Sequence, residues 1–199
     1  MIITAITPKR KHLSALCLDN GLTELIDSSA LSDSGFRVED DITQPQLEEL
    51  IAMSAEYRAR NKALYLLSHR DHSSRELRDK LKKDCDADAA GQAVDRMREL
   101  GLVNDDAYAQ KLANELFTRK KYGAKRVEYE LISKGIDRET ARVICAELET
   151  DPQEAIREIL ERRYKNLSDP KEQKRAAAAL QRYGYNYEDI RNAMSELMD

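Results

Sequence analysis

Three short segments concentrate the groups best suited to bind anions. Residues 70–83 hold six cations (Arg70, Arg75, Arg78, Lys80, Lys82 and Lys83) against three acids. Residues 119–126 hold Arg119, Lys120, Lys121, Lys125 and Arg126 with no acid at all. Residues 162–175 hold Arg162, Arg163, Lys165, Lys171, Lys174 and Arg175 against two acids. Guanidinium and ammonium groups recognise phosphate and carboxylate through charge-assisted hydrogen bonds. Yet the whole chain carries −4, and residues 1–60, 61–104, 105–150 and 151–199 carry −4, +1, 0 and −1. The acids are kept elsewhere in each stretch.

Two readings of these segments stand side by side. Cations at a helix C-terminus oppose the macrodipole, worth about 0.3–1 kcal/mol each, which accounts for Arg119–Lys121 and Arg162–Lys165 without any partner. Lys125, Arg126, Lys171 and Lys174 fall instead at predicted helix starts, where positive charge is mildly unfavourable. A cationic helix start suits an anionic ligand.

Other chemistry is weaker. His69-x-x-His72 followed by Cys85 would need a second ligand pair to close a zinc site, and only His12, Cys17 and Cys145 remain. No metal site and no cofactor follow, and His72 is expected to be exposed in a turn. Cys145 shares an apolar face with Ala141, Ile144 and Leu148 and reads as a small buried hydrophobe. Three widely spaced cysteines suggest no disulfide framework. Asp40-Asp41 and Asp105-Asp106 sit at loop or helix starts, where capping suffices. There is no glycine-rich phosphate loop, no Gly-x-Ser-x-Gly and no catalytic dyad, so no enzyme is expected. The opening residues lack the apolar core of a signal peptide, and no stretch approaches the 18 or so apolar residues of a membrane span. A soluble, cytoplasmic protein is the expectation.

The elements that must position these cations are mostly helices. Charged residues make up 35% of the chain and aromatics 6%, with few Gly and Pro, which favours helices over sheets. Residues 1–45 differ. Asn20-Gly21 between the apolar runs Leu13–Leu18 and Leu22–Ile26 predicts a β-hairpin with a type I′ turn, and Ile2–Thr7 a third strand. A short helix capped by Ser28 or Ser29 should stop near Gly35. Another begins at Thr43-Gln44-Pro45, with Leu47, Leu50, Ile51 and Ser54 on one face.

From residue 61 the chain repeats. "SSRELRDKLKKDCD", "GAKRVEYELISKGI" and "DPKEQKRAAAALQRYGY" place Leu81, Leu131 and Leu180 in equivalent positions, 50 and 49 residues apart. Met97…Leu100, Ile144…Leu148 and Ala193…Leu197 end the third helix of each unit. Gly135 and Gly184 suit left-handed helix ends, with Asp137 and Asn186 as N-caps. Asn104 or Asp105 caps the helix after Gly101, and Asp151-Pro152 opens the last unit. First helices are expected at 61–69, 105–121 and 152–165. The predicted architecture is mainly α: three tandem three-helix repeats (61–103, 104–150 and 151–199) stacked in an elongated, curved array. A linking helix (46–60) and a small β-containing extension (1–45) precede them. Each basic segment then lies where helix one ends and helix two begins.

"LYLLSHRDHSSRELRDKL", "GLVNDDAYAQKLANEL" and "RKKYGAKRVEYELISKGI" resemble the RecX family of recombinase regulators. The similarity covers about 61–199, and the β-hairpin start is like the extension of some members. The third repeat, with "RAAAALQRYGY", is the loosest match. The resemblance implies a protein that binds RecA, chiefly as its filament on single-stranded DNA, and limits filament growth, strand exchange and coprotease activity in DNA repair and the SOS response; a monomer is expected. For some members it also implies direct contact with DNA. The alternative is a stand-alone DNA-binding protein of helix-turn-helix-like units. The third helices, "AGQAVDRMREL", "RETARVICAEL" and "YEDIRNAMSEL", are mixed-charge or acidic, which weighs against sequence-specific readout.

Overall fold

Asn20-Gly21 makes a hairpin, but not with the predicted turn. Strands β2 (Leu13–Leu18) and β3 (Thr23–Asp27) pair antiparallel. Gly21 takes a φ of 83°, whereas Asn20 does not adopt positive φ. The Gly21 N–H donates to the Leu18 carbonyl (3.0 Å), and the Leu18 N–H to the Leu22 carbonyl (2.9 Å). This is a three-residue loop closed by a left-handed glycine. The asparagine side chain is used locally, its Oδ1 accepting the Leu22 N–H at 2.9 Å.

The computed structural model describes residues 1–10, 12–148, 151–164 and 166–197, in two units, Met1–Val103 and Asn104–Asp199. In the first unit, β1 (Ile3–Pro8) adds antiparallel to β2 and completes a meander ordered β1-β2-β3. Helix α1 (Ser28–Ser34) is capped by Asp27, not by either serine. Asp27 is buried; its Oδ1 accepts from the Ser29 N–H and its own N–H donates to Ser54 Oγ at 2.7 Å. The helix stops at Gly35, with φ 76°. Helix α2 (Gln44–Leu67) opens with a capping box between Thr43 and Gln46 and runs unbroken through residue 60. Its first half buries Leu47 and Leu50 against Ile3, Leu16 and Ile26 of the sheet. Ile51, expected on the same face, is instead 37% exposed, because the buried stripe passes through Leu47, Leu50 and Ser54.

The second half of α2 buries Ala59 and Ala63 in another core with Leu77 and Leu81 of α3 (Ser74–Leu81) and Val94 and Met97 of α4 (Ala87–Glu99). Small alanines let α4 approach α2 closely. Ser73 and Asp86 cap these two helices.

Among its described residues the second unit holds six helices: α5 (Asp105–Thr118), α6 (Ala124–Ser133), α7 (Arg138–Leu148), α8 (Pro152–Arg163), α9 (Pro170–Arg182) and α10 (Tyr187–Glu196). The first three enclose Phe117, Val127, Leu131, Ile144 and Cys145. The last three enclose Ile156, Leu160, Leu180, Tyr185 and Ile190. Asn104, Asp151, Asp169 and Asn186 accept first-turn N–H groups of α5, α8, α9 and α10. Asp137 does the same for Thr140 at 2.9 Å. Helices α5 and α8 end earlier than predicted, at Thr118 and Arg163.

The predicted equivalence of Leu81, Leu131 and Leu180 holds: all three have 0% exposure near the end of α3, α6 and α9. After Leu131 and Leu180 the turns close with the same bond. The Ile136 N–H donates to the Leu131 carbonyl and the Tyr185 N–H to that of Leu180, each at 3.2 Å. Gly135 (φ 92°) and Gly184 (φ 95°) supply the left-handed residue. The turn after Leu81 lacks a glycine and closes through Cys85 to the Leu81 carbonyl at 2.9 Å. Leu100, matched by sequence to the half-buried Leu148 and Leu197, is 50% exposed.

Candidate functional site

Seven of the sixteen described cations that stand out in the sequence are answered by acids. Arg70 makes a paired contact with Glu76, at 2.8 and 3.1 Å. Arg75 faces Asp79 and Arg175 faces Glu172, one helical turn away in each case. Arg78 is only partly exposed, and its Nε is buried without a hydrogen-bond partner. Lys82 and Lys83 are exposed, and Lys80 half-buried. Arg162 lies 4.0 Å from Glu158, and Arg163 bonds the Tyr183 hydroxyl. Lys171 and Lys174 are exposed in the first turns of α9. Lys165 lies outside the described residues.

The segment 119–126 has a second role that the sequence count does not reveal. It is where the α5–α7 repeat touches the α9–α10 turn. The Gly123 N–H donates to the Tyr183 carbonyl at 2.8 Å. The Tyr185 hydroxyl donates to the Lys121 carbonyl at 2.8 Å, and Lys121 itself takes a φ of 55°. The Lys121 ammonium sits 2.7 Å from Glu158 of α8 and, by hydrogen bond and charge, holds that carboxyl below its usual range. The rings of Tyr122 and Tyr183 meet edge to face, 5.4 Å apart. Arg126 is paired with Glu130 at 2.6 Å and lies over Tyr122 and Tyr129, 5.8 and 5.3 Å from their centroids. Arg119 reaches Glu115 at 3.3 Å. Within this segment Lys120 and Lys125 stay exposed without an ion pair to any described residue.

Two further sequence expectations resolve here. His72 is buried, at 3% exposure, rather than exposed in a turn. Its Nδ1 lies 2.9 Å from the Arg70 carbonyl, and burial pushes its pKa down against the opposing pull of that bond. His69 packs apart from it on Tyr65, its Nδ1 2.7 Å from the Tyr65 carbonyl. Among the described residues no group of three or more His, Cys, Asp or Glu could hold a metal. Cys145 is buried, as its apolar face predicts.

Sequence reasoning missed a notch of about 400 Å³ beside this junction, lined by Lys125, Arg126, Tyr129, Arg182 and Tyr187 among others. The signal for it lay in pairing two glycines: Gly123 before α6 and Gly184 after α9.

Three consecutive stretches match models of one family: RecX first three-helix domain over 59–97, second over 104–142 and third over 149–194. The chain belongs to the RecX family. A regulatory protein RecX of Caldanaerobacter subterraneus is 27% identical over 199 residues, covering 98% of this chain and 99% of that one. One from Clostridioides difficile is 28% identical over 80% of this chain and 77% of its own. One from Trichlorobacter lovleyi is 33% identical over 65% of this chain and 88% of its own. The fold is similar to a crystal structure of regulatory protein RecX, with a TM-score of 0.69 at 19% identity over 96% and 97% of the two chains. RecX from Lactobacillus salivarius gives 0.62 at 26% identity over 72% of this chain and 96% of its own. The second match starts at Asn104, the N-cap of α5, the first starts inside α2, and the three end inside α4, α7 and α10.

Proposed function

We propose that this protein is a regulator of a RecA-type recombinase. It binds RecA, chiefly as a filament on single-stranded DNA, and restrains filament growth, strand exchange and coprotease activity. The observation that carries the reading is the run of three RecX domain matches, together with relatives named as regulatory proteins. The sequence resemblance supplies RecA as the partner.

Charge adds physical support. Lys120, Lys125, Lys171 and Lys174 are exposed at or near first-to-second helix connections, and Lys82 and Lys83 just after the second helix α3, where an anionic filament surface could be met. The protein acts without catalysis, as a cytoplasmic monomer built of the extension 1–45, the linking helix 46–60 and repeats 61–103, 104–150 and 151–199.

The test is RecA-driven ATP hydrolysis on single-stranded DNA with and without the protein. Inhibition that grows with protein concentration is expected. Unchanged hydrolysis with clear DNA binding would favour the stand-alone DNA-binding reading instead.

A further inference from the structure

We infer that the notch between α6 and the α9–α10 turn is a binding subsite for a single-stranded nucleic acid segment, about one nucleotide wide, that stacks a base on tyrosine. Its lining holds three cations (Lys125, Arg126 and Arg182), three tyrosines and no acidic residue, in a chain with 37 Asp and Glu. Lys125 and Arg182 are exposed and carry no ion pair among the described residues, so both charges are available to phosphate. Of the neighbouring acids, Glu130 is paired with Arg126 and Glu128 with Arg142, and Glu188 and Asp189, in the first turn of α10, do not line the notch.

The aromatic rings decide what kind of anion fits. Tyr129 is 62% exposed and Tyr187 66%, so both present large ring surfaces to solvent at one cavity. Arg126 lies 5.3 Å from the Tyr129 centroid, and the exposed remainder of both rings is open to a partner. A base stacked on such a ring gains about 1–3 kcal/mol, whatever its identity. An acidic peptide would use the cations and leave the rings unused; a nucleotide uses both.

The backbone contributes as well. Helix α6 begins at Gly123 with no side-chain cap, and its first turn, through Lys125 and Arg126, lines the notch. The positive end of a helix therefore adds to the Lys125 and Arg182 charges. The floor is rigid: Tyr185 is buried with its hydroxyl on the Lys121 carbonyl, and Gly184 packs directly on Arg126. A volume of about 400 Å³ falls within the range of small-ligand sites.

The experiment uses the full chain alone, with no recombinase. Its failure therefore leaves the proposed regulation untouched, and an inactive regulator could still pass it. An oligothymidylate of about 10 nucleotides is titrated and followed by dye anisotropy and by tyrosine fluorescence, which no tryptophan obscures. The same strand without bases, the same sequence as a duplex, and a poly-glutamate peptide are the comparison ligands. Preference for the oligothymidylate with tyrosine quenching is expected. Tyr129→Leu with Tyr187→Leu should weaken it at least tenfold, whereas Tyr129→Phe with Tyr187→Phe should bind as wild type. Lys125→Gln with Arg182→Gln should lower the salt slope by about 1–1.5 units. Equal affinity for the base-free strand, the duplex or poly-glutamate would overturn the inference. So would an undiminished leucine variant. If that variant does not fold, the phenylalanine pair and the salt slope decide.

Discussion

Gly123 and Gly184 meet backbone to backbone, and neither position has room for a side chain. A Cβ on Gly123 would lie 2.8 Å from the Gly184 carbonyl carbon and oxygen. A Cβ on Gly184 would lie 2.5 Å from the Arg126 backbone nitrogen. Two residues 61 positions apart thus fix the seat of one repeat on the next, and with it the notch between them.

Gly184→Ala should therefore be costly. It places a side chain at φ 95° and drives it into backbone, which cannot swing aside. Strain of this kind costs of order 1–3 kcal/mol before the clash is counted. Gly101→Ala is the control, because its φ of 70° is also left-handed but nothing lies within 4 Å. In denaturant titrations Gly184→Ala should lose clearly more stability than Gly101→Ala. Equal losses would mean that the close approach carries no weight.

The three aligned leucines give a second expectation. Each of Leu81→Ala, Leu131→Ala and Leu180→Ala removes a side chain with 0% exposure, and should cost about 2–5 kcal/mol. Leu131→Asp should cost more still, because it buries an unpaired charge. Thermal melts of the four variants would check this, and an unshifted midpoint for any of them would remove that leucine from its core.

How far the sequence reached depended on range. Helix ends, caps and the buried register of Leu81, Leu131 and Leu180 are local or periodic, and Thr43, Asn104, Asp151 and Asn186 cap where their types suggest. Side-chain competition defeated shorter signals. Asp27 outcompeted Ser28 and Ser29 as a cap, and Asn20 gave its side chain to Leu22 instead of adopting positive φ. The basic segment misled by its window. Counting from 119 to 126 leaves out Glu115 and Glu130, one turn beyond either edge, and Glu158, which only tertiary contact brings to Lys121. Buried His72 was equally hidden, since nothing in a turn sequence announces that its ring folds inward.

That histidine makes stability pH-dependent with a definite sign. Burial lowers the folded-state pKa of His72 below its ordinary 6.5, so the unfolded chain binds the extra proton first. Its contribution is fully present above pH 6.5 and is lost as pH falls from there through the lowered folded value. Between pH 7 and pH 5 the wild type should lose more stability than His72→Gln. Parallel curves for the two proteins would show that His72 stays neutral, or titrates alike, in both states.

The last expectation separates the cations of the segment 119–126 by what they touch. Lys121 and Arg126 are built into the repeat junction, through Glu158 in one case and Glu130, Tyr122 and Tyr129 in the other. Lys120 and Lys125 are exposed and lack ion pairs among the described residues. Replacing Lys120 and Lys125 by Gln should leave the melting temperature in place. It should weaken inhibition of RecA-driven ATP hydrolysis and flatten the salt dependence of binding by about one unit per lost phosphate contact, or slightly less. Replacing Lys121 and Arg126 by Gln should lower the melting temperature and weaken inhibition through the displaced α6. Helical content and inhibition measured on both double variants distinguish these outcomes. If the Lys120/Lys125 variant inhibits as strongly as wild type, the exposed cations of this segment do not touch the partner. The segment then serves the repeat junction alone, and the contact must be sought at Lys82, Lys83, Lys171 and Lys174.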